Sequence, residues 1–101
     1  MRFRFKVAPR AAVQIHAAAE WWAKNRTKNP TGFVEDLESA FMLIQDLPNA
    51  GEAVPHRTIP NLRRVLLGLT QHHLYYSVAA EEAVIEILAL WHTSRGSAPR
   101  F

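Results

Sequence analysis

Three β-rich runs crowd the last third of the chain, at residues 62–69, 73–78 and 84–91. The links between them, "TQHH" and "AAEEA", are so short that only hairpins can close them, which predicts an antiparallel meander. The last run, "VIEILALW", is apolar at nearly every position and is expected either in the middle of the sheet or covered on both faces. A meander of this kind has one face to bury, and the rest of the chain must supply the cover.

The cover is legible upstream. Residues 2–7, "RFRFKV", alternate Arg or Lys with Phe3, Phe5 and Val7, the period of a strand with one buried and one wet face. Pro9 ends that strand and suits the first turn of a helix. From Arg10 to about Asn25, Ile15, Ala18, Ala19 and Trp22 share one face at about 100° per residue, while Gln14, Glu20 and Lys24 lie away from it. After the polar connector "NRTKNPTG", Asn29 and Pro30 read as the cap and first-turn pair of a second helix running to about Leu47. Its apolar stripe is Phe33, Leu37, Ala40, Ile44 and Leu47, with Glu35, Asp36 and Glu38 in the opening turns, where the helix dipole favours acids. The stretch "LPNAGEAVPHRTIPN" is irregular. The predicted order is strand, helix, helix, strand, strand, strand: an α+β fold, β-α-α-β-β-β, with a helical hairpin packed on a small, mainly antiparallel sheet.

With 101 residues, a single domain spanning 1–101 is expected. At 49% hydrophobic and 21% charged, the chain has the composition of a folding sequence, not of a disordered one. It contains no transmembrane-length apolar run and no signal-peptide hydrophobic region, and it has no cysteine, so it reads as cytoplasmic with no membrane partner.

The net charge of +3 is unevenly placed. Seven of the twelve Lys and Arg fall in residues 2–28 against one acid, Glu20, while the other acids cluster at 35–52 and 81–86. Such segregation gives a basic surface suited to nucleic acid, to a nucleic-acid-bound machine or to an acidic partner.

Enzymatic signatures are absent: there is no Gly-rich phosphate loop, nucleophile elbow or His-Glu-x-x-His helix. Five histidines lack metal-ligand spacing, and the adjacent His72 and His73 would point to opposite sides of a strand, so neither metal nor cofactor is expected. What remains is a constellation of Arg57, Arg63, Arg64, His92, Arg95 and Arg100, which the meander could bring together. Guanidiniums suit phosphate or carboxylate because they stay charged and present a planar fork. The plainer reading is that the arginines pair with acids or helix-end carbonyls and that the tail from Thr93 onward is loose. In "NLRRVLLG" the two arginines must face opposite sides of the strand. One of them, Arg63 or Arg64, is expected on the sheet face away from the helices as part of a working surface, and the other is expected to be structural.

The segments "FRFKVAPRA", the Trp at the end of the first helix, "DLPNAGEAV", "LRRVLLG", "HHLYYSV" and "VIEILALWHTSR", in this order and spacing, resemble the toxins of the RelE/ParE superfamily of bacterial toxin–antitoxin systems over nearly the whole chain. The likeness is closer to the ParE branch. It implies a type II toxin that arrests growth when free and is silenced by a cognate antitoxin in a hetero-oligomer. ParE-like members poison DNA gyrase; RelE-like members cleave mRNA on the ribosome with basic residues and often a C-terminal tyrosine. Arg64 and Arg95 match the basic positions of the RelE pattern, and His92 would then be a substitute acid or base. The lysines expected after the second helix are absent, with Glu52, His56 and Arg57 in that region. Phe101 stands where a tyrosine hydroxyl would be wanted and cannot exchange a proton.

The expected function is therefore gyrase inhibition without catalysis. The alternatives are a ribosome-dependent endoribonuclease acting on mRNA, or a degenerate non-toxic module that only binds antitoxin. Trp21, at the margin of the first helix, and Met42, opposite the second helix's stripe, are the expected antitoxin-binding residues. An antitoxin could dock a helix in a groove or add a strand to the sheet.

Overall fold

A computed structural model describes residues 2–101. The elements run β1 (Arg4–Val7), α1 (Pro9–Asn25), α2 (Gly32–Asp46), a single 3₁₀ turn (Pro48–Ala50), β2 (Glu52–Ala53), β3 (Leu62–Leu67), β4 (His72–Ala79) and β5 (Val84–His92). They form one five-stranded sheet ordered β1-β5-β4-β3-β2. The meander β3-β4-β5 is antiparallel, as the short links require, and β1 joins β5 in parallel. The sheet thus places β5 inside, between β1 and β4, which accounts for its nearly continuous apolar sequence.

Both helices cover one face. Ala11, Phe33, Ala40 and Ile44 pack against Val65, Leu67, Leu74, Tyr76, Val78, Ile85, Ile87 and Leu90. Ile15, Ala18, Ala19 and Trp22 flank this core, and Phe5 stacks on Phe41 with ring centroids 4.8 Å apart. A second, smaller cluster sits on the opposite face, where Leu62, Tyr75 and Ala89 are joined by Val54, Ile59, Leu88 and Trp91. The switch between the two faces along β5 comes from a β-bulge. Tyr75 pairs with Ala89 but Tyr76 with Ile87, so Leu88 has no partner and the alternation changes phase. Before it, Ile85 and Ile87 face the helices; after it, Leu90 and His92 do, and Trp91 is turned to the other face.

Several local expectations need correction. Helix α2 begins at Gly32, with Thr31 at the cap and no side-chain cap bond, so Asn29 and Pro30 belong to the connector. There the Asn29 carbonyl accepts the indole N–H of Trp22 at 2.7 Å and the Gly32 N–H at 3.1 Å. A Cβ at Gly32 would lie 2.5 Å from Asn29 Nδ2 and would have to displace that side chain. Leu47 is 60% exposed because the helical pattern continues one residue past the last turn, into the 3₁₀ segment that opens at Pro48. Val7, the last residue of the edge strand β1, is 41% exposed. Gln14 is not a solvated residue: its Oε1 accepts the Leu90 N–H at 2.9 Å, covering the edge of β5 that β1 is too short to reach. Within the stretch predicted irregular, Glu52 and Ala53 pair with Arg64 and Arg63 as a fifth strand.

Candidate functional site on the open sheet face

The parity of β3 resolves the arginine doublet. Arg63 shares a side with Val65 and Leu67 and turns toward the helix layer, where its Nη1 donates to the carbonyls of Gly51 at 2.7 Å and Asn49 at 3.1 Å. It ties the 3₁₀ turn to the sheet. Arg64 shares the open face with Leu62 and Tyr75. Its Nε donates to Glu52 Oε1 at 2.7 Å and its Nη1 to the Tyr75 hydroxyl at 3.1 Å. The two bonds raise the guanidinium's already high pKa, the Glu52 bond first, and the same pairing holds the Glu52 carboxyl below its ordinary range.

Around Arg64 lies a shallow cleft of about 230 Å³ lined by His73, Tyr75, Trp91, His92, Arg95 and Ser97 among others. Trp91 reaches it because of the bulge, and the Arg95 guanidinium lies 3.5 Å over the Trp91 ring centroid, a cation–π contact. His73 alternates with His72 and faces this side, with its ring 6.2 Å from Tyr75. Burial, and then the nearby Arg64, push the His73 imidazole below its usual pKa, so it is neutral near pH 7.

Of the six residues expected to converge, Arg64, Arg95 and His92 line this cleft. His92 does so only in part. Its ring faces His72 across the hairpin with centroids 5.0 Å apart, and its Nδ1 accepts the Ser94 N–H at 3.1 Å. Arg57 and Arg100 are exposed and do not line it, and Arg63 is on the other face. The tail after Thr93 is not loose. Trp91 Nε1 donates to the Ser97 carbonyl at 2.6 Å, Arg10 Nη1 donates to the Arg100 carbonyl at 2.7 Å, and Pro99 is buried. The Phe101 ring packs edge-on against Tyr75 at 5.4 Å and His56 at 5.5 Å. Sequence reasoning missed His73, Tyr75 and Trp91 as members of the cleft. The alternation of "HHLYYSV" against the Arg doublet would have located the first two; the bulge hid the third.

Trp21 and Met42 are both exposed, at 52% and 67%. Trp21 lines a separate cavity of about 540 Å³ on the helix side, beside Trp22, Arg26, His72 and His92. Met42 is not part of it.

The sequence model of the ParE toxin of type II toxin–antitoxin systems, parDE, matches residues 5–96. The chain therefore belongs to the ParE toxin family. No curated protein gives a significant match. Among solved structures, the chromosomal ParDE toxin–antitoxin system from P. aeruginosa superposes with a TM-score of 0.67 at 19% identity, covering 89% of this chain and 95% of that one. The toxin–antitoxin complex RelBE2 from Mycobacterium tuberculosis gives 0.64 at 16% identity, covering 91% and 99%. The isolated E. coli RelE toxin gives 0.58 at 20% identity, covering 96% and 89%. These likenesses establish a fold shared by ParE and RelE toxins. Among the described residues, no helix is long and apolar enough to cross a membrane.

Proposed function

We propose that the chain is a toxin that inhibits DNA gyrase by binding, without cleaving nucleic acid, and that a cognate antitoxin holds it inactive. One observation carries the first part: the central cation of the open face is already committed. Arg64 is fixed by Glu52 on one side and the Tyr75 hydroxyl on the other, and Arg95 is stacked on Trp91. A guanidinium neutralised by its own carboxylate offers less to a scissile phosphate than a bare one, whereas a rigid face of arginine and aromatic side chains is what protein interfaces use as anchors. The Phe101 ring, seated on Tyr75, adds apolar surface and no exchangeable proton. Membership of the ParE family supports the same reading.

A second reading has one observation in its favour. His73, neutral by burial and by its closeness to Arg64, lines the same cleft as Arg64 and Arg95 and has the chemistry of a general base. That arrangement would serve a ribosome-dependent endoribonuclease. The discriminating experiment is paired: supercoiling of relaxed plasmid by gyrase with the purified protein, and mapping of mRNA 5′ ends after induced expression. Blocked supercoiling with intact transcripts is expected. Discrete new 5′ ends with unimpaired gyrase would establish the nuclease, and neither effect, with no growth arrest on expression, would favour a non-toxic antitoxin-binding module.

A further inference from the structure

On the helix side, meeting the cleft just described only at His92 and Thr93, the 540 Å³ cavity continues into a second of about 330 Å³. The two share Trp22 and Arg26 and run from the β3–β4 turn past the end of α1 to Lys28 in the connector. The floor is aromatic and apolar, formed by Trp21, Trp22 and Leu69, and no carboxylate lines either cavity. The Arg26 guanidinium lies 5.0 Å over the Trp21 ring and 5.7 Å over that of Trp22, and its Nη1 donates to the neighbouring Asn25 carbonyl at 3.2 Å. The ion pairs among the described residues are Arg64–Glu52 and His16–Glu20, so Lys24, Arg26 and Lys28 are in no ion pair with an acid of the chain. A concave aromatic surface with an unneutralised guanidinium at its centre favours an occupant with both an apolar anchor and a negative charge.

The two imidazoles at the far end narrow the choice. Asp36 accepts the Thr70 hydroxyl at 3.1 Å and the Thr70 N–H at 2.9 Å, so the hydroxyl oxygen must accept Nδ1–H from His72, 3.1 Å away. This fixes the His72 tautomer and leaves its Nε2 with an open lone pair. His92 is the reverse: its Nδ1 accepts the Ser94 N–H, which places the proton on Nε2. The pair offers one acceptor and one donor side by side. That suits a peptide amide, which carries both functions, and not a phosphodiester, which only accepts. The groove is also preorganised, since the Trp22 indole is pinned to the Asn29 carbonyl at 2.7 Å and little ordering remains to oppose binding.

We propose that this groove receives a peptide segment of the antitoxin in which an Asp or Glu pairs with Arg26 while a neighbouring aromatic or aliphatic side chain packs against Trp21. The proposal rests on the antitoxin partnership proposed above and names the chemistry by which that partner is held.

The test selects a displayed library of random 16-residue peptides on the full chain, then measures binding of the enriched peptides to purified protein. The expected consensus combines acidic with aromatic or aliphatic residues. Binding should weaken about tenfold with Arg26→Gln, the loss of one charge-assisted bond, should weaken with Trp21→Ala, and should be unchanged with Val13→Ala, an exposed position of α1 that lines neither cavity. Circular dichroism melts confirm that each variant is folded; Arg26 is exposed and outside the core cluster, so Arg26→Gln keeps the test decisive if Trp21→Ala does not fold. The proposal is overturned by a consensus lacking acids, by equal binding to Arg26→Gln, by no enrichment at all, or by displacement with a 12-nucleotide single strand. The gyrase assay reads separately. Intact supercoiling alongside Arg26-dependent peptide binding would remove the proposed target and keep the groove, and the opposite pattern would do the reverse.

Discussion

Arg64 and Glu52 face each other directly across the β2–β3 pairing, with Arg64 Nε 2.7 Å from Glu52 Oε1. The carboxylate is largely exposed, so the pair contributes little to stability; what it sets is the charge presented by the open face. Because the folded-state pKa of Glu52 is lowered, its pairing is fully present above the ordinary value of 4.5 and is lost as pH falls through the lowered one. An NMR titration of the Glu52 carboxyl should show a midpoint below 4.5 in the native protein, and Arg64→Ala should bring it back up toward that value.

The Tyr76 hydroxyl holds the chain just before β2, at Pro48 and Gly51. It donates to the Pro48 carbonyl at 2.7 Å and accepts the Gly51 N–H at 2.9 Å, and its ring is fully buried. Tyr76→Phe leaves both backbone groups without that partner and should cost about 1–3 kcal/mol, read as a lowered urea midpoint. Gly51→Ala should be destabilising as well, because the new Cβ would sit 2.5 Å from the Tyr76 hydroxyl and 2.9 Å from the Arg64 carbonyl.

Gln14 does for β5 what a longer β1 would have done. Replacing it with Ala removes the acceptor for the Leu90 N–H. The expected result is a loss of about 1 kcal/mol together with faster hydrogen exchange at the Leu90 amide than at Ile87.

Burial, reinforced by His92 and opposed by Asp36, depresses the His72 pKa from 6.5 to about 4. The folded state therefore disfavours the imidazolium. The unfolded chain takes up its proton at the higher pH, so stability is full above 6.5 and declines as pH falls from there toward 4. Urea unfolding at neutral pH and at about pH 4.5 should show a smaller decline in His72→Asn, whose amide can still donate to Thr70 but does not titrate.

Which parts of this architecture were readable from the residues follows from how each is encoded. The helices and the meander rest on periodicity and on link length, and both are explicit in the sequence. The parity of "LRRV" likewise dictates that Arg63 and Arg64 diverge, although only the packing of Val65 and Leu67 tells which one turns inward. The bulge at Leu88 was hidden because "VIEILALW" is apolar in both phases, so no residue type marks the change. By periodicity Gln14 lies away from the apolar face and Asp36 is an acid at the helix dipole, yet each serves a backbone N–H of another element. Such long-range polar partners leave no periodic trace. The candidate cleft was half legible for the same reason: Arg64 and Arg95 carry charge that stands out, while Tyr75 and Trp91 look like ordinary core residues until the sheet face is known.

The measurement that bears most directly on the open face as the working surface is growth arrest by Arg64→Ala/Arg95→Ala, expressed beside the native chain and matched for level and thermal stability. Loss of arrest in a protein that still melts within a few degrees of the native one is the predicted result. Full arrest by the folded double variant would place the toxic surface elsewhere on the molecule.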